Sequence, residues 1–155
     1  MRKIVTIVVS LTSLILLAGL SSGDDITRPE GYKDWRHIKS MVIKQGHSLF
    51  DPFGGLHHIY ANKKAVKGYE KGKFPVGSVI VFELFEAVDK DNAITEGERK
   101  FIGVMEKVTG EKETGGWRYE VFAGKDLQKK GVNGAKDCHT CHANASKTDF
   151  VFSVK

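Results

Sequence analysis

The chain has 155 residues, of which 28% are charged, and it carries a formal net charge of +5. This length fits a single domain. The positive charge lies in lysine pairs such as Lys63-Lys64 and Lys129-Lys130. A nucleic-acid interface needs clustered basic side chains with interleaved aromatic residues, a pattern this sequence lacks. We therefore expect no nucleic-acid partner.

The first residues have the three-part pattern of a secretory signal peptide. Residues 1–3 are positively charged at Arg2 and Lys3, residues 4–20 are largely apolar, and small residues follow up to Gly23. This order predicts a signal peptide over 1–23 and a mature domain over 24–155. An uncleaved anchor is the alternative, because the apolar run is close to the length that spans a bilayer. With cleavage, the protein is expected in the periplasm with no membrane attachment.

Hydrophobic periodicity and turn residues predict the first elements of the mature chain. Tyr32, Trp35 and Ile38 stand at helical spacing and predict a helix over 32–39. Asn62 is a suitable N-cap for a helix that runs through Tyr69 and ends near Gly72. The other predicted segments are an extended piece over 40–43, a turn-rich loop over 46–55 and a strand over 56–61.

The later elements are predicted mainly as strands. Residues 78–88 are rich in Val, Ile and Phe and form the clearest strand. Further predicted segments are a hairpin-type connection over 89–98, strands over 100–109 and 117–123 with a link over 110–116, and an extended piece over 149–154. The fold class predicted is α+β: a single domain with a mainly antiparallel β-sheet, a few peripheral helices and a C-terminal motif.

Both cysteines lie in one pentapeptide, Cys138-His139-Thr140-Cys141-His142. The pattern C-x-x-C-H is typical of covalent c-type haem attachment. Two thiols one helical turn apart can reach the two vinyl groups on one edge of a porphyrin. The adjacent imidazole can then bind the iron. We therefore predict one covalently bound haem c, with Cys138 and Cys141 as attachment points, His142 as iron ligand and His139 as an exposed spacer.

Three other interpretations of the two cysteines are possible. A thioredoxin-like pair normally follows an early strand in a βαβ unit, whereas this motif is near the C-terminus. A structural zinc site normally has a second ligand pair at fixed spacing, and none stands out. A short disulfide suits an oxidising compartment. The histidine directly after the second cysteine favours haem.

A β-rich domain that ends in one haem motif resembles the cytochrome P460 family. The similarity is carried by residues 79–84, by Gly116-Trp117, and by the motif followed by residues 147–152. The resemblance implies a homodimer of β-rich subunits. It also implies that each subunit has one c-type haem with an open distal face.

The family divides according to the residue over the haem. Members that oxidise hydroxylamine have a lysine on the strand that matches 79–84, cross-linked to the porphyrin. The matching residue here is Phe82, which cannot form that bond. In the other branch, cytochrome c′-beta, phenylalanines cap the iron and the protein binds nitric oxide and carbon monoxide. By this resemblance Phe82 is one cap residue and Phe53 is the second.

Other side chains are candidates for the site, each with a structural alternative. His57 and His58 are adjacent on a predicted strand, so they point to opposite faces. One faces inward, either as a core histidine or at the haem. Met41 and Met105 are expected in the core, although either could ligate iron. The remaining candidates are Arg118 for a haem propionate, and Glu83 or Glu120 as a distal base, with Glu83 expected to point away from Phe82.

These residues support three hypotheses. The first is a periplasmic haem protein that binds a diatomic gas. The second is a hydroxylamine-oxidising enzyme, which requires a lysine–haem bond from a residue such as Lys73, Lys100 or Lys107 and a proton acceptor. The third is an electron carrier with a sixth protein ligand and a small redox partner protein. The sequence favours gas binding.

Overall fold

The structure is a computed structural model that describes residues 25–154 and contains one antiparallel sheet of six strands. Each strand pairs with its neighbour in sequence, so the sheet is a meander. The strands are β1 (Arg36–Ile43), β2 (Gly55–Ala61), β3 (Val79–Lys90), β4 (Ala93–Lys107), β5 (Trp117–Ala123) and β6 (Gln128–Lys129). The predicted α+β fold class is confirmed. The signal peptide predicted for 1–23 lies outside the described residues.

Short helices lie around the sheet. They are α1 (Phe50–Phe53), α2 (Lys63–Lys71) and α3 (Thr140–His142), together with 3₁₀ turns at Tyr32–Asp34, Lys112–Thr114 and Ala143–Thr148. The Asn62 side chain accepts a hydrogen bond from the Ala65 N–H at 2.8 Å, and Gly72 ends α2 in the left-handed region. The predicted start and end of this helix are therefore confirmed. Within 25–154, no helix has the length and apolarity needed to cross a membrane.

The two faces of the sheet carry separate apolar clusters. One cluster contains Ile80, Met105, Trp117 and Tyr119, and Cys138 packs against it. We call this side the motif face. The opposite face carries the second cluster, whose buried residues are Ile26, Tyr32, Val81, Ile102, Val104 and Phe122. Because side chains alternate along a strand, the register assigns each strand residue to one face.

Three predicted elements are wrong. The helix predicted over 32–39 is replaced by a 3₁₀ turn at Tyr32–Asp34 and by the start of strand β1 at Arg36. The predicted connection over 89–98 is mostly strand, because β3 and β4 continue to a tight turn at Asp91 and Asn92, both with positive φ. The piece over 149–154 is not extended at its start, since Asp149 and Phe150 have φ values of 53° and 67°.

Candidate haem site

The C-x-x-C-H motif is held in a helical conformation by local caps. A wide helical turn over Gly134–His139 continues directly into α3. The Asn133 side chain accepts from the Lys136 N–H at 3.0 Å, and the Asn133 N–H donates to the Asp137 carboxylate at 2.8 Å. This reciprocal pair satisfies backbone groups at the start of the turn and fixes the spacing of the two thiols.

The two cysteines have different environments, and both are free thiols. Cys141 is exposed, whereas Cys138 is half-buried against the motif-face cluster. Burial raises the pKa of the Cys138 thiol to about 11. A thiol whose pKa is raised by apolar surroundings is less reactive as a nucleophile than an exposed one. Within 25–154, no three His, Cys, Asp or Glu side chains are grouped so that they could hold a metal ion.

His142 is oriented by a backbone carbonyl. Its Nδ1 lies 2.8 Å from the carbonyl oxygen of Phe150. A carbonyl can only accept, so the Nδ1–H donates and Nε2 keeps its lone pair. Burial lowers the pKa of His142, which favours the neutral imidazole that a metal ligand requires. The ring also contacts Tyr119 and Phe152, with centroid distances of 5.1 and 5.2 Å.

A polar network fixes the Phe150 carbonyl. The carboxylate of the preceding Asp149 pairs with Lys107 Nζ at 2.6 Å and accepts from the Phe74 N–H at 2.8 Å. The Asp149 carbonyl accepts from the Trp117 indole N–H at 2.8 Å. The carboxylate and the carbonyl of Asp149 therefore bond to the sheet, and the carboxylate also bonds to the segment before β3. This anchoring determines where the next carbonyl points.

Three phenylalanine rings cluster on the motif face. Phe82 of β3 stacks on Phe101 of β4 at 5.8 Å, and Phe53 of α1 meets both edge to face at 5.9 and 6.1 Å. His57 of β2 packs on Phe82 with centroids 4.6 Å apart. His57 is 3% exposed, and burial lowers its pKa to about 4. The cluster is therefore aromatic, with one neutral imidazole beside it.

Residues 29–153 match the family model described as Cytochrome P460. The chain belongs to the cytochrome P460 family. It is therefore a haem cytochrome, as the sequence resemblance predicted. No curated protein matches the chain.

The residues present fit the haem expected of a cytochrome P460 member. Two free thiols precede an imidazole whose Nε2 is available, which is the donor set that covalent attachment and iron ligation need. Gly103 pairs with Phe82 on one side and Val121 on the other, and it lies on the motif face. A Cβ at Gly103 would come no closer than 3.8 Å to its neighbours. The absence of a side chain at Gly103 thus keeps this part of the motif face open beside Phe82 and Phe101.

The structure brings together most of the predicted cytochrome P460 site residues. Cys138, Cys141 and His142 lie in one helical segment, and Phe53 and Phe82 are in contact. His139 is not an exposed spacer, because it is half-buried, its Nδ1 is 3.3 Å from the Tyr119 hydroxyl, and its ring packs on Phe150. The prediction for His139 was wrong because two bulky aromatic neighbours enclose it.

Other candidates lie away from the phenylalanine cluster. Glu83 is buried on the opposite face, as expected, and pairs with Arg99 at 3.2 Å. Glu120 also faces away and accepts backbone N–H groups before the motif. Arg118 pairs with Glu111. Met105 is in the core as predicted, whereas Met41 is 45% exposed, so the packing expected for Met41 is wrong.

Sequence reasoning did not single out four residues that matter here. Phe101 completes the aromatic cluster, Tyr119 packs on His142, and Asp149 with Phe150 orients the imidazole. Strand alternation could have placed Phe101 on the same face as Phe82 once pairing was known. Nothing in the sequence indicates that Asp149 and Phe150 adopt left-handed backbone conformations.

Proposed function

We propose that this cytochrome is a periplasmic mono-haem c-type protein that binds nitric oxide or carbon monoxide. Cys138 and Cys141 would attach the haem through two thioethers, and His142 would ligate its iron. Residues 1–23 would be a signal peptide and 24–155 the mature domain. The family resemblance adds a homodimeric assembly to the proposal. A small redox partner protein is a further part of it.

The observation that carries the proposal is the contact among Phe53, Phe82 and Phe101 on the motif face. When bound, the haem supplies an iron ion that accepts a diatomic ligand. Phenylalanine rings offer no atom that ligates iron and no strong hydrogen-bond donor. They also exclude water and anions while admitting a small neutral gas. Aromatic capping therefore favours nitric oxide or carbon monoxide over dioxygen.

The groups that hydroxylamine oxidation would need have other partners. Lys107 Nζ pairs with Asp149 and donates to the Gly115 carbonyl at 2.8 Å, and Lys100 Nζ donates to the Gly54 carbonyl at 2.9 Å. Lys73 is exposed on the segment before β3. Phe82 stands where the enzymes of this family have their lysine. These contacts support gas binding over the enzymatic alternative.

His57 supports the competing electron-carrier hypothesis, since it contacts Phe82 and has a neutral imidazole that could ligate iron. The two hypotheses differ in the coordination of the resting protein. A carrier with His57 bound would be low-spin and six-coordinate. Gas binding predicts a high-spin, five-coordinate iron with one protein ligand.

Absorption spectra of the purified holoprotein test the proposal. Ferric and ferrous spectra are recorded with and without nitric oxide and carbon monoxide, for the wild type and for His57→Leu. We expect high-spin spectra in both proteins, a shift of the ferric and ferrous spectra on adding nitric oxide, and a shift of the ferrous spectrum on adding carbon monoxide. Mass spectrometry of the same protein should give a mass that corresponds to two thioethers. A low-spin resting state that becomes high-spin only in His57→Leu would overturn the proposal. A third covalent attachment through lysine would instead establish the enzymatic alternative.

A further inference from the structure

Two consecutive residues near the haem ligand adopt a strained backbone conformation. Asp149 and Phe150 have φ values of 53° and 67°, in the left-handed region. Asp tolerates this region, but a bulky residue such as Phe rarely enters it. Strain of this kind persists only where the surrounding structure over-determines it, and it concentrates at functional sites. The contacts that hold this pair in place therefore indicate its role.

Contacts from four segments hold the strained pair. Lys107 Nζ reaches the Asp149 carboxylate at 2.6 Å, with both side chains nearly buried. Trp117 donates its indole N–H to the Asp149 carbonyl, and the Phe150 N–H donates to the Ala145 carbonyl at 2.8 Å. The Phe74 N–H donates to the second carboxylate oxygen.

The side chain of Phe150 is fixed as firmly as its backbone. Its ring lies directly on Gly115, where an added Cβ would be 2.1 Å from the ring. The Gly115 carbonyl in turn accepts from Lys107, and Lys107 Nζ lies 4.9 Å from the centre of the Trp117 ring. Lysine, tryptophan and aspartate thus form one connected unit next to Phe150.

This arrangement holds one hydrogen bond acceptor, the Phe150 carbonyl, against the ring of His142. The Phe150 carbonyl accepts from His142 Nδ1 at 2.8 Å. In metal sites, an acceptor on the far nitrogen of a ligating histidine fixes the ring and raises its basicity toward the metal. A carbonyl that could rotate away would lose this effect.

We infer that Asp149, Lys107 and Trp117 are positioning residues that hold the Phe150 carbonyl against His142 and so set the donor strength of its Nε2. None of the three needs to touch the haem for this role. The inference rests on the part of the proposed function in which His142 ligates the iron. It adds a group of residues, outside the aromatic cluster, that controls the strength of the axial bond and the reduction potential.

The test uses holoprotein variants and three measurements that involve no gas. Asp149→Asn keeps an oxygen for the Phe74 N–H but removes the charge that Lys107 needs, and Lys107→Met removes the cation. Lys67→Met is the matched control, because Lys67 is exposed on α2. Lys107→Arg is the conservative variant that should restore wild-type behaviour. The measurements are the iron–histidine stretching frequency of the ferrous protein, the reduction potential, and the solvent exchange rate of the His142 Nδ1 proton.

We expect Asp149→Asn and Lys107→Met to lower the stretching frequency, raise the potential and speed Nδ1 proton exchange about tenfold. Lys67→Met should match the wild type. If Asp149→Asn or Lys107→Met does not fold, Trp117→Phe decides, because it keeps a buried aromatic ring but removes the indole donor to the Asp149 carbonyl. It should shift all three measurements in the same direction. Folded, haem-loaded variants that match the wild type in all three would overturn the inference and leave gas binding intact. If the wild type does not bind gas, the gas-binding proposal is wrong. The three measurements on the haem-loaded variants still test the inference about His142 in that case.

Discussion

The rings of Phe53 and Phe82 meet edge to face with centroids 5.9 Å apart, although Phe53 belongs to α1 and Phe82 to the middle of β3. A short helix before β2 therefore completes an aromatic surface that begins on the sheet. The two rings come from different elements of the fold, so substitutions can remove one ring at a time.

Replacing Phe82 should open the proposed gas site. Phe82→Ala removes a half-buried ring from the motif face, and we expect carbon monoxide to bind about tenfold faster, which corresponds to about 1.4 kcal/mol in the barrier. Stopped-flow mixing of the ferrous holoprotein with carbon monoxide measures the rate. Phe85→Ala is the matched control, because Phe85 lies on the same strand but packs with His58 on the opposite face. Equal rates in the two variants would contradict a capping role for Phe82.

We expect Gly103 to be required for haem binding but not for formation of the sheet. Its φ is not positive, and a Cβ there meets only ordinary contacts, so Gly103→Leu is expected to fold. The leucine side chain would fill the space where we expect the porphyrin, and haem content should fall well below that of the wild type. Haem-to-protein ratio and circular dichroism measure the two effects.

The control for this substitution is Thr95→Leu, which adds the same side chain at an exposed position of β4. We expect full haem content in that variant. Full haem content in Gly103→Leu as well would show that the porphyrin lies elsewhere.

Acid should destabilise the protein through His57. Burial, with smaller contributions from His58 and Lys39, lowers the pKa of this imidazole from 6.5 to about 4. The unfolded chain therefore takes up a proton near pH 6.5, whereas the folded chain takes it up only near pH 4. Stability from this residue is complete above pH 6.5 and is lost as pH falls toward 4. The loss approaches about 3 kcal/mol.

Urea unfolding between pH 4 and 7 measures this dependence. His57→Leu should reduce the pH dependence of the free energy of unfolding. His47→Leu, at an exposed position, should leave that dependence as in the wild type. If the free energy of unfolding of His57→Leu depends on pH as in the wild type, other groups cause the acid sensitivity.

Glu120 should stabilise the segment that leads into the haem motif. One of its carboxylate oxygens accepts the N–H groups of Val121, Gly131 and Val132 at 2.8, 3.1 and 3.4 Å. Glu120→Ala removes the charged acceptor that these three N–H groups share and is expected to reduce the free energy of unfolding by about 2 kcal/mol. Hydrogen exchange at Gly131 and Val132 should become faster in step with that loss.

Glu120→Gln keeps the accepting oxygen and loses only the charge that faces Lys129 at 3.3 Å. It should retain most of the protection at Gly131 and Val132. If glutamine and alanine weaken protection equally, the charge and not the hydrogen bonds would be the stabilising feature.

The parts of the fold that depend on local signals were predictable. Trp117–Ala123 is a strand as predicted, and Asn62 caps α2 as its side chain suggests. Tyr32 and Ile38 were misleading, because they stand at helical spacing yet belong to clusters on opposite faces of the sheet. Residues 89–98 have too few apolar side chains to predict strands, because this end of the β3–β4 hairpin is mostly exposed. Its strands are held together by backbone hydrogen bonds.

The part of the candidate site that lies in one compact motif could be proposed from the sequence. Cys138, Cys141 and His142 stand in five consecutive residues whose chemistry needs that spacing. The support for His142 could not be predicted, because it depends on Lys107, Trp117 and Asp149, which only the tertiary fold brings together. The positive φ of Phe150 is a consequence of those contacts and has no local sequence signal.

All six strands end by Lys129, nine residues before Cys138, the first of the two thiols. Every strand pairing in the described part of the chain is therefore made by residues that precede the two thiols. The segment after the motif returns to the sheet, where Val151 is buried in the motif-face cluster. Changes within the motif should for this reason leave the strand register as it is.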